Sequence, residues 1–143
     1  MTAIQTMSRD ALANIGEIEA AIMGEPQVEV QIDHTLHAGL YSRTAKLEAG
    51  TIIAGALIKT PTLIIVSGDC LVHTGDAMIR LTGYHVIEAS AGRKQVFVAV
   101  EETFITMLFA TDATTVEQAE EQFTDDYARL QSRHQKEMTC LES

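Results

Sequence analysis

The chain contains no tryptophan, two prolines and two cysteines, and its aromatic side chains are three tyrosines and four phenylalanines. The cysteines, Cys70 and Cys140, lie far apart without CxxC or Cys/His ligand spacing. This excludes a disulfide framework and a zinc ribbon, and it leaves two reduced thiols, with Cys70 expected in the core. No apolar run approaches the roughly 20 residues that span a bilayer, so no membrane partner is expected. The opening segment has one base, Arg9, among acids at Asp10, Glu17 and Glu19, which is not the layout of a signal peptide; a cytoplasmic location follows as the expectation. Bases are scarce: 10 against 20 acids, a formal net charge of -10. Such a surface repels phosphate backbones, and no nucleic-acid partner is expected. Catalytic layouts are missing too. There is no phosphate loop, no Ser-His-Asp arrangement and no paired carboxylates at the 59–62 elbow; Glu101-Glu102 is a doubled carboxylate, but adjacent strand residues point to opposite faces and the pair reads as a turn.

What remains is the pattern of one β-rich domain between two helices. A length of 143 residues with 46% hydrophobic and 21% charged residues suits a single domain with a real core. Over 8–24, Leu12, Ile15, Ile18, Ala21 and Ile22 recur at helical spacing, with Ser8 or Asp10 as cap and Gly24 and Pro26 as stop. Over 28–110 the period falls to two. Val28, Val30 and Ile32 alternate with polar residues, 34–39 reads as a connection, and Leu40–Leu47 follows as a strand. Further strands are expected at 70–74 and 77–82, forming a hairpin around Gly75-Asp76, and at 84–88, 94–100 and 103–109. Eight or nine short strands at regular spacing indicate an antiparallel sandwich or barrel. From 113 to 137 the pattern is again helical, with Asp112, Thr114 or Thr115 as cap and Val116, Ala119, Phe123, Tyr127 and Leu130 as the buried stripe. The residues from about Met138 are expected to be loose.

The chain is organised around Gly50 to Asp69, GTIIAGALIKTPTLIIVSGD. It reads as two apolar strands joined by a polar elbow, Lys59-Thr60-Pro61-Thr62, and closed by a Gly-Asp turn. With EIEAAIMGEPQVEV before it, and YHVIEASAGRKQ and TFITMLFATDATTVEQAEEQF after it, this order resembles a single-domain cupin, a small jelly-roll barrel, of the short kind found in bacteria and tailed phages. The resemblance implies an all-β cupin core flanked by two helices, and a metal site between the elbow and the 90–95 turn. Its ligand positions map onto Ala56, Ile58, Thr62 and Gln95. None offers imidazole, carboxylate or thiolate, so no metal and no cofactor are expected.

A barrel without its metal still has an interior. Period two directs Ile52, Ala54, Ala56 and Ile58 inward on one strand, and Gln95, Phe97 and Ala99 on another. The candidate pocket residues are Tyr41, Arg43, Ile58, Thr60, Thr62, His73, Arg93, Gln95 and Phe97, with Arg43, Lys59, Arg93 or Lys94 as contacts for a small anion. The same side chains equally suit a filled core. His34 and His37 have chelating spacing but lack a third donor, and His134 reads as a surface residue. His73 and His85 lie in strands able to pair, and either is an acid/base candidate. Three functions are compatible with this pattern. One is a non-catalytic cupin binding a small anionic or nucleotide-like ligand; by the resemblance this suits a phage or bacterial accessory protein, including one that sequesters a host defence signal. The second is a structural oligomer with a filled barrel, and the third an isomerase-like enzyme using a histidine. The apolar stripes and sheet edges predict a homo-oligomer in each case.

Overall fold

A computed structural model describes residues 3–23 and 29–130. Its long strands run where β-branched residues concentrate, and its corners fall at glycines. The elements are β1 (Ala3–Ile4), α1 (Arg9–Met23), β2 (Gln31–His37), β3 (Leu40–Leu47), β4 (Ile52–Ala54), β5 (Thr62–His73), β6 (Met78–Ala89), β7 (Val96–Ala99), β8 (Thr103–Ala110) and α2 (Val116–Phe123), with a 3-10 turn at Tyr127–Arg129. The Ser8 hydroxyl accepts from Ala11 N and caps α1, while Thr115 Oγ1 accepts from Gln118 N and caps α2.

The strand order is β1-β6-β5-β8-β3-β2, with β7 branching from β5 and β4 from β7. β5 is the hub. Its first half, Leu63 to Ser67, pairs with β8, and its second half, Cys70 to His73, pairs with β7. Gly68, where the strand changes sheets, has φ +143, and a Cβ there would lie 2.6 Å from the Glu102 carbonyl and from Thr103 Oγ1. Thr103 fixes the bend: its hydroxyl accepts from Asp69 N and lies within hydrogen-bond reach of the Asp69 and Glu101 carbonyls. Only glycine meets both the backbone and the spatial demand.

One large apolar cluster packs inside the barrel, with Val30, Leu47, Ile64, Val66, Cys70, Val72, Leu81, Ile87, Phe97 and Ile105 among its members. A second gathers Tyr41, Ile58, Phe109, Ala119, Phe123 and Leu130 where α2 lies over one end. Four strand ends meet there: the starts of β3 and β5 and the finishes of β6 and β8. Cys70 is fully buried, and burial pushes its thiol up to about 11, so it is a core residue without nucleophilic character.

Several sequence expectations change. The Gly68-Asp69 turn is a bend inside one twelve-residue strand, and Met78–Ala89 is likewise one strand through Gly83. The connection expected at 34–39 shrinks to Ala38-Gly39, both at positive φ, and His34 to His37 join β2. Ile52 is 46% exposed, whereas Ile53 packs on the core opposite Phe97. Ala56 and Ile58 do join the second cluster, so the alternation resets around Gly55. In α1, Ala11 and Ile15 are fully buried and Ala21 is exposed. The C-terminal helix expected over 113–137 starts at Val116 and ends at Phe123, because Thr124 turns extended (φ -153°, ψ 149°) and its hydroxyl accepts from Asp126 N. Val28, His134, Cys140 and the residues beyond Met138 lie outside the described residues.

Candidate functional site

The elbow between β4 and β5 lies against the turn between β6 and β7, tied by backbone bonds. Gly55 N donates to the Gln95 carbonyl at 2.9 Å, Ile58 N to the Arg93 carbonyl at 2.8 Å, and Gly92 N to the Ile58 carbonyl at 2.7 Å. Lys59 N reaches the Phe123 carbonyl at 2.9 Å, which joins the elbow to the end of α2. The elbow, the turn and α2 thus close one end of the barrel together.

Under α2, Arg43, Glu120, Tyr41 and His34 are all partnered. Arg43 Nη1 lies 3.2 Å from Glu120 Oε2, with Glu120 almost wholly buried, and the guanidinium sits over the Phe123 ring at 5.6 Å. The Tyr41 hydroxyl is 2.7 Å from His34 Nδ1, and its ring stacks between His34 and Phe123 with Phe109 edge-on. Burial, and then the nearby Arg43 charge, hold His34 below its ordinary value of 6.5, so the imidazole is neutral at pH 7; burial raises Tyr41.

Behind the elbow the accounting differs. Arg93 is completely buried. Its Nη1 donates to the Ser90 carbonyl at 2.5 Å and, at 3.4 Å, to the Thr60 carbonyl; its Nη2 donates to Thr62 Oγ1 at 2.5 Å. Among the described residues Nε has no partner, and neither does Nε2 of Gln95, itself 4% exposed. Every acceptor around the guanidinium is neutral. Burial draws Arg93 down to about 10, which leaves it charged at neutral pH. Among the described residues this is a buried cation without an anion, and interiors seldom tolerate that.

The structure therefore sorts the four cations proposed from sequence. Arg43 is held by Glu120, Lys59 by Asp125 at 2.7 Å and Lys94 by Glu19 at 2.8 Å, whereas Arg93 meets no carboxylate among the described residues. Ile58, Thr60, Thr62 and Arg93 come together behind the elbow, and Gln95 is buried two residues further on. Phe97 belongs to the main core, and Tyr41 and Arg43 to the α2 side. His73 joins neither group: its Nδ1 accepts from Gly75 N in its own hairpin turn. His85 Nε2 likewise stays local, 2.7 Å from the Thr82 carbonyl.

Sequence reading missed Glu120 and weighed His34 only as half of a chelating pair with His37. Glu120 had a signal: it lies four residues after Val116 and three before Phe123, on the stripe that must face inward. His34 had one too, since it extends the alternation of Val30 and Ile32. Ser90 contributes a backbone oxygen, which leaves no trace in residue type.

The metal that the cupin resemblance implies does not fit here. Ala56 and Ile58 supply no donor, and the Arg93 guanidinium bonded to Thr62 would repel a divalent cation. Among the described residues no three His, Cys, Asp or Glu side chains gather as a metal would require.

No family profile matches the sequence, and no curated protein matches it. Solved structures do match in fold. KdgF from a Halomonas species is 17% identical with a TM-score of 0.50, over 62% of this chain and 86% of that one. A Klebsiella pneumoniae protein with a double-stranded β-helix domain is 15% identical with a TM-score of 0.50, over 62% and 80%. A cupin-2 domain protein from Shewanella frigidimarina is 15% identical with a TM-score of 0.46, over 69% and 97%. The chain has the cupin fold, the double-stranded β-helix, as a single barrel with a helix on either side in sequence. At these identities the likeness speaks for fold alone.

Proposed function

We propose that this protein is a non-catalytic, metal-free cupin that holds a small anionic ligand in its barrel, with Arg93 as the anion's partner and Thr62 and Gln95 as neutral contacts. One observation carries the reading: a fully buried guanidinium that, among the described residues, bonds only to neutral oxygens and leaves Nε unused. An anion delivered to that charge would offset its desolvation and fill the open donor. The acid/base alternative loses support, because His73 and His85 each commit a ring nitrogen to nearby backbone, His73 in its hairpin turn and His85 within β6. Holding a ligand without transforming it suits an accessory protein of a phage or bacterium, including one that withdraws a nucleotide-like defence signal from circulation.

Thermal melting with acetate, inorganic phosphate and adenosine monophosphate tests this reading. At least one of them should raise the melting temperature of the wild type and leave Arg93→Met unmoved. Equal shifts in both proteins would remove Arg93 from the account.

The assembly reading keeps one observation in its favour. Leu63, Tyr84, Val86 and Phe104 are 41–68% exposed on the outer face of β5, β6 and β8, and among the described residues β6 pairs with β1 only at Glu88 and Ala89 on its outer edge. A homo-oligomer would cover both the apolar face and the open edge. Native mass spectrometry should then give a multiple of the chain mass that falls to one chain in Tyr84→Lys/Val86→Lys.

A further inference from the structure

A pocket of about 410 Å³ opens at the barrel rim, where the start of β5 meets the end of β6. Gln5, Pro61, Thr62, Glu88, Ser90 and Ala91 are among the residues that line it. Two of these also hold Arg93: Thr62 through its hydroxyl and Ser90 through its carbonyl. The pocket wall and the buried guanidinium therefore share two residues, and the Thr62 hydroxyl is the pocket-lining group that Nη2 holds. The volume falls within the range of small-molecule sites, at its lower end.

The wall also carries a charge of the other sign. Glu88 is exposed on the pocket side, opposite Leu63 in the β5–β6 ladder. A ligand reaching Arg93 through this opening places its remaining groups near that carboxylate. Glu88 favours a hydroxyl or ammonium donor and repels a second negative charge, and the chain's net charge of -10 acts in the same direction. A doubly charged phosphate meets opposing fields here, while a singly charged carboxylate with a donor group meets matching ones.

We infer that the rim pocket is the entry and binding site for a small monoanionic carboxylate bearing a hydroxyl or ammonium group, its carboxylate displacing Thr62 from Arg93 and its donor bonding to Glu88. This rests on the anion-holding reading above and narrows it: the ligand enters beside Pro61 and Ser90, and Arg43 stays engaged by Glu120 throughout.

Isothermal titration calorimetry with D-glycerate, acetate and inorganic phosphate tests the assignment, with circular dichroism confirming that each variant is folded. Glycerate should bind the wild type roughly tenfold more tightly than acetate or phosphate, the scale of one hydrogen bond to a charged group. Glu88→Gln should erase the advantage over acetate, Ala91→Trp should block all binding by filling the pocket, and Arg93→Met should abolish it. Arg93-dependent binding that ignores both Glu88→Gln and Ala91→Trp would overturn the rim site and leave the anion reading standing. If none of the three anions binds in an Arg93-dependent way, both readings fall together.

Discussion

Two arginines close the same end of this barrel under opposite electrostatic terms. Arg43, on β3, meets the buried carboxylate of Glu120 and the face of Phe123. Arg93, in the turn before β7, is buried more deeply and meets only carbonyl and hydroxyl oxygens. A paired buried charge is a structural feature whose removal leaves its partner stranded, while an unpaired one is a cost that the fold carries for some other reason. The difference separates the packed side of this end from the side available to a ligand.

The sharpest way to break the comparison is to strand Arg43 deliberately. Glu120→Ala should cost about 3 kcal/mol or more, because it leaves a largely buried guanidinium without its carboxylate. Arg43→Met/Glu120→Leu should recover most of that loss in urea denaturation. Equal damage from the single and double variants would mean that the pair is not the source of the effect.

Gly68→Ala tests the frame that brings both arginines to one end. With φ at +143 and backbone atoms of Glu102 and Thr103 within 3 Å of the added carbon, destabilisation of about 2–4 kcal/mol is expected. A loss below about 0.5 kcal/mol would show that the sheet-switching bend tolerates a side chain.

Arg93→Met should behave unlike Glu120→Ala. Removing an uncompensated charge relieves desolvation while freeing three neutral oxygens, so unliganded stability should stay within about 1.5 kcal/mol of wild type. A loss matching that of Glu120→Ala would make Arg93 a structural strut.

The α2 side also carries a pH dependence. His34 titrates below 6.5 in the folded protein, so between 6.5 and its folded value the unfolded chain binds the extra proton. Stability should therefore fall as pH drops through 6.5 and level off below the folded value, and His34→Phe should flatten this part of the profile. The smallest effect belongs to the exposed Lys59–Asp125 pair: Lys59→Ala should change stability by less than about 1 kcal/mol.

Much of the frame was legible from residue type. Alternating Val and Ile marked the strands, the Gly75-Asp76 turn marked the β5–β6 hairpin, and the stripe of Val116, Ala119 and Phe123 marked α2. Gly68 was misread because a glycine beside an aspartate signals a turn and a within-strand bend equally well; the choice was made by Thr103, thirty-four residues away, bonding Asp69. Ile52 was misplaced because a period-two count cannot register a reset around Gly55. For the candidate site, the sequence named Arg93, Thr60 and Thr62 together but could not rank Arg93 above Arg43, Lys59 and Lys94. That ranking depends on where Glu120, Asp125 and Glu19 fall in space, and no local pattern encodes it.

The distinction between the two arginines is open to nuclear magnetic resonance of their Nε–H groups during titration with D-glycerate. The Arg93 Nε–H signal, assigned by its loss in Arg93→Met, should move in proportion to ligand bound while that of Arg43 stays in place. A stationary Arg93 signal, or movement at Arg43 instead, would contradict the claim that the unpaired guanidinium is where the anion lands.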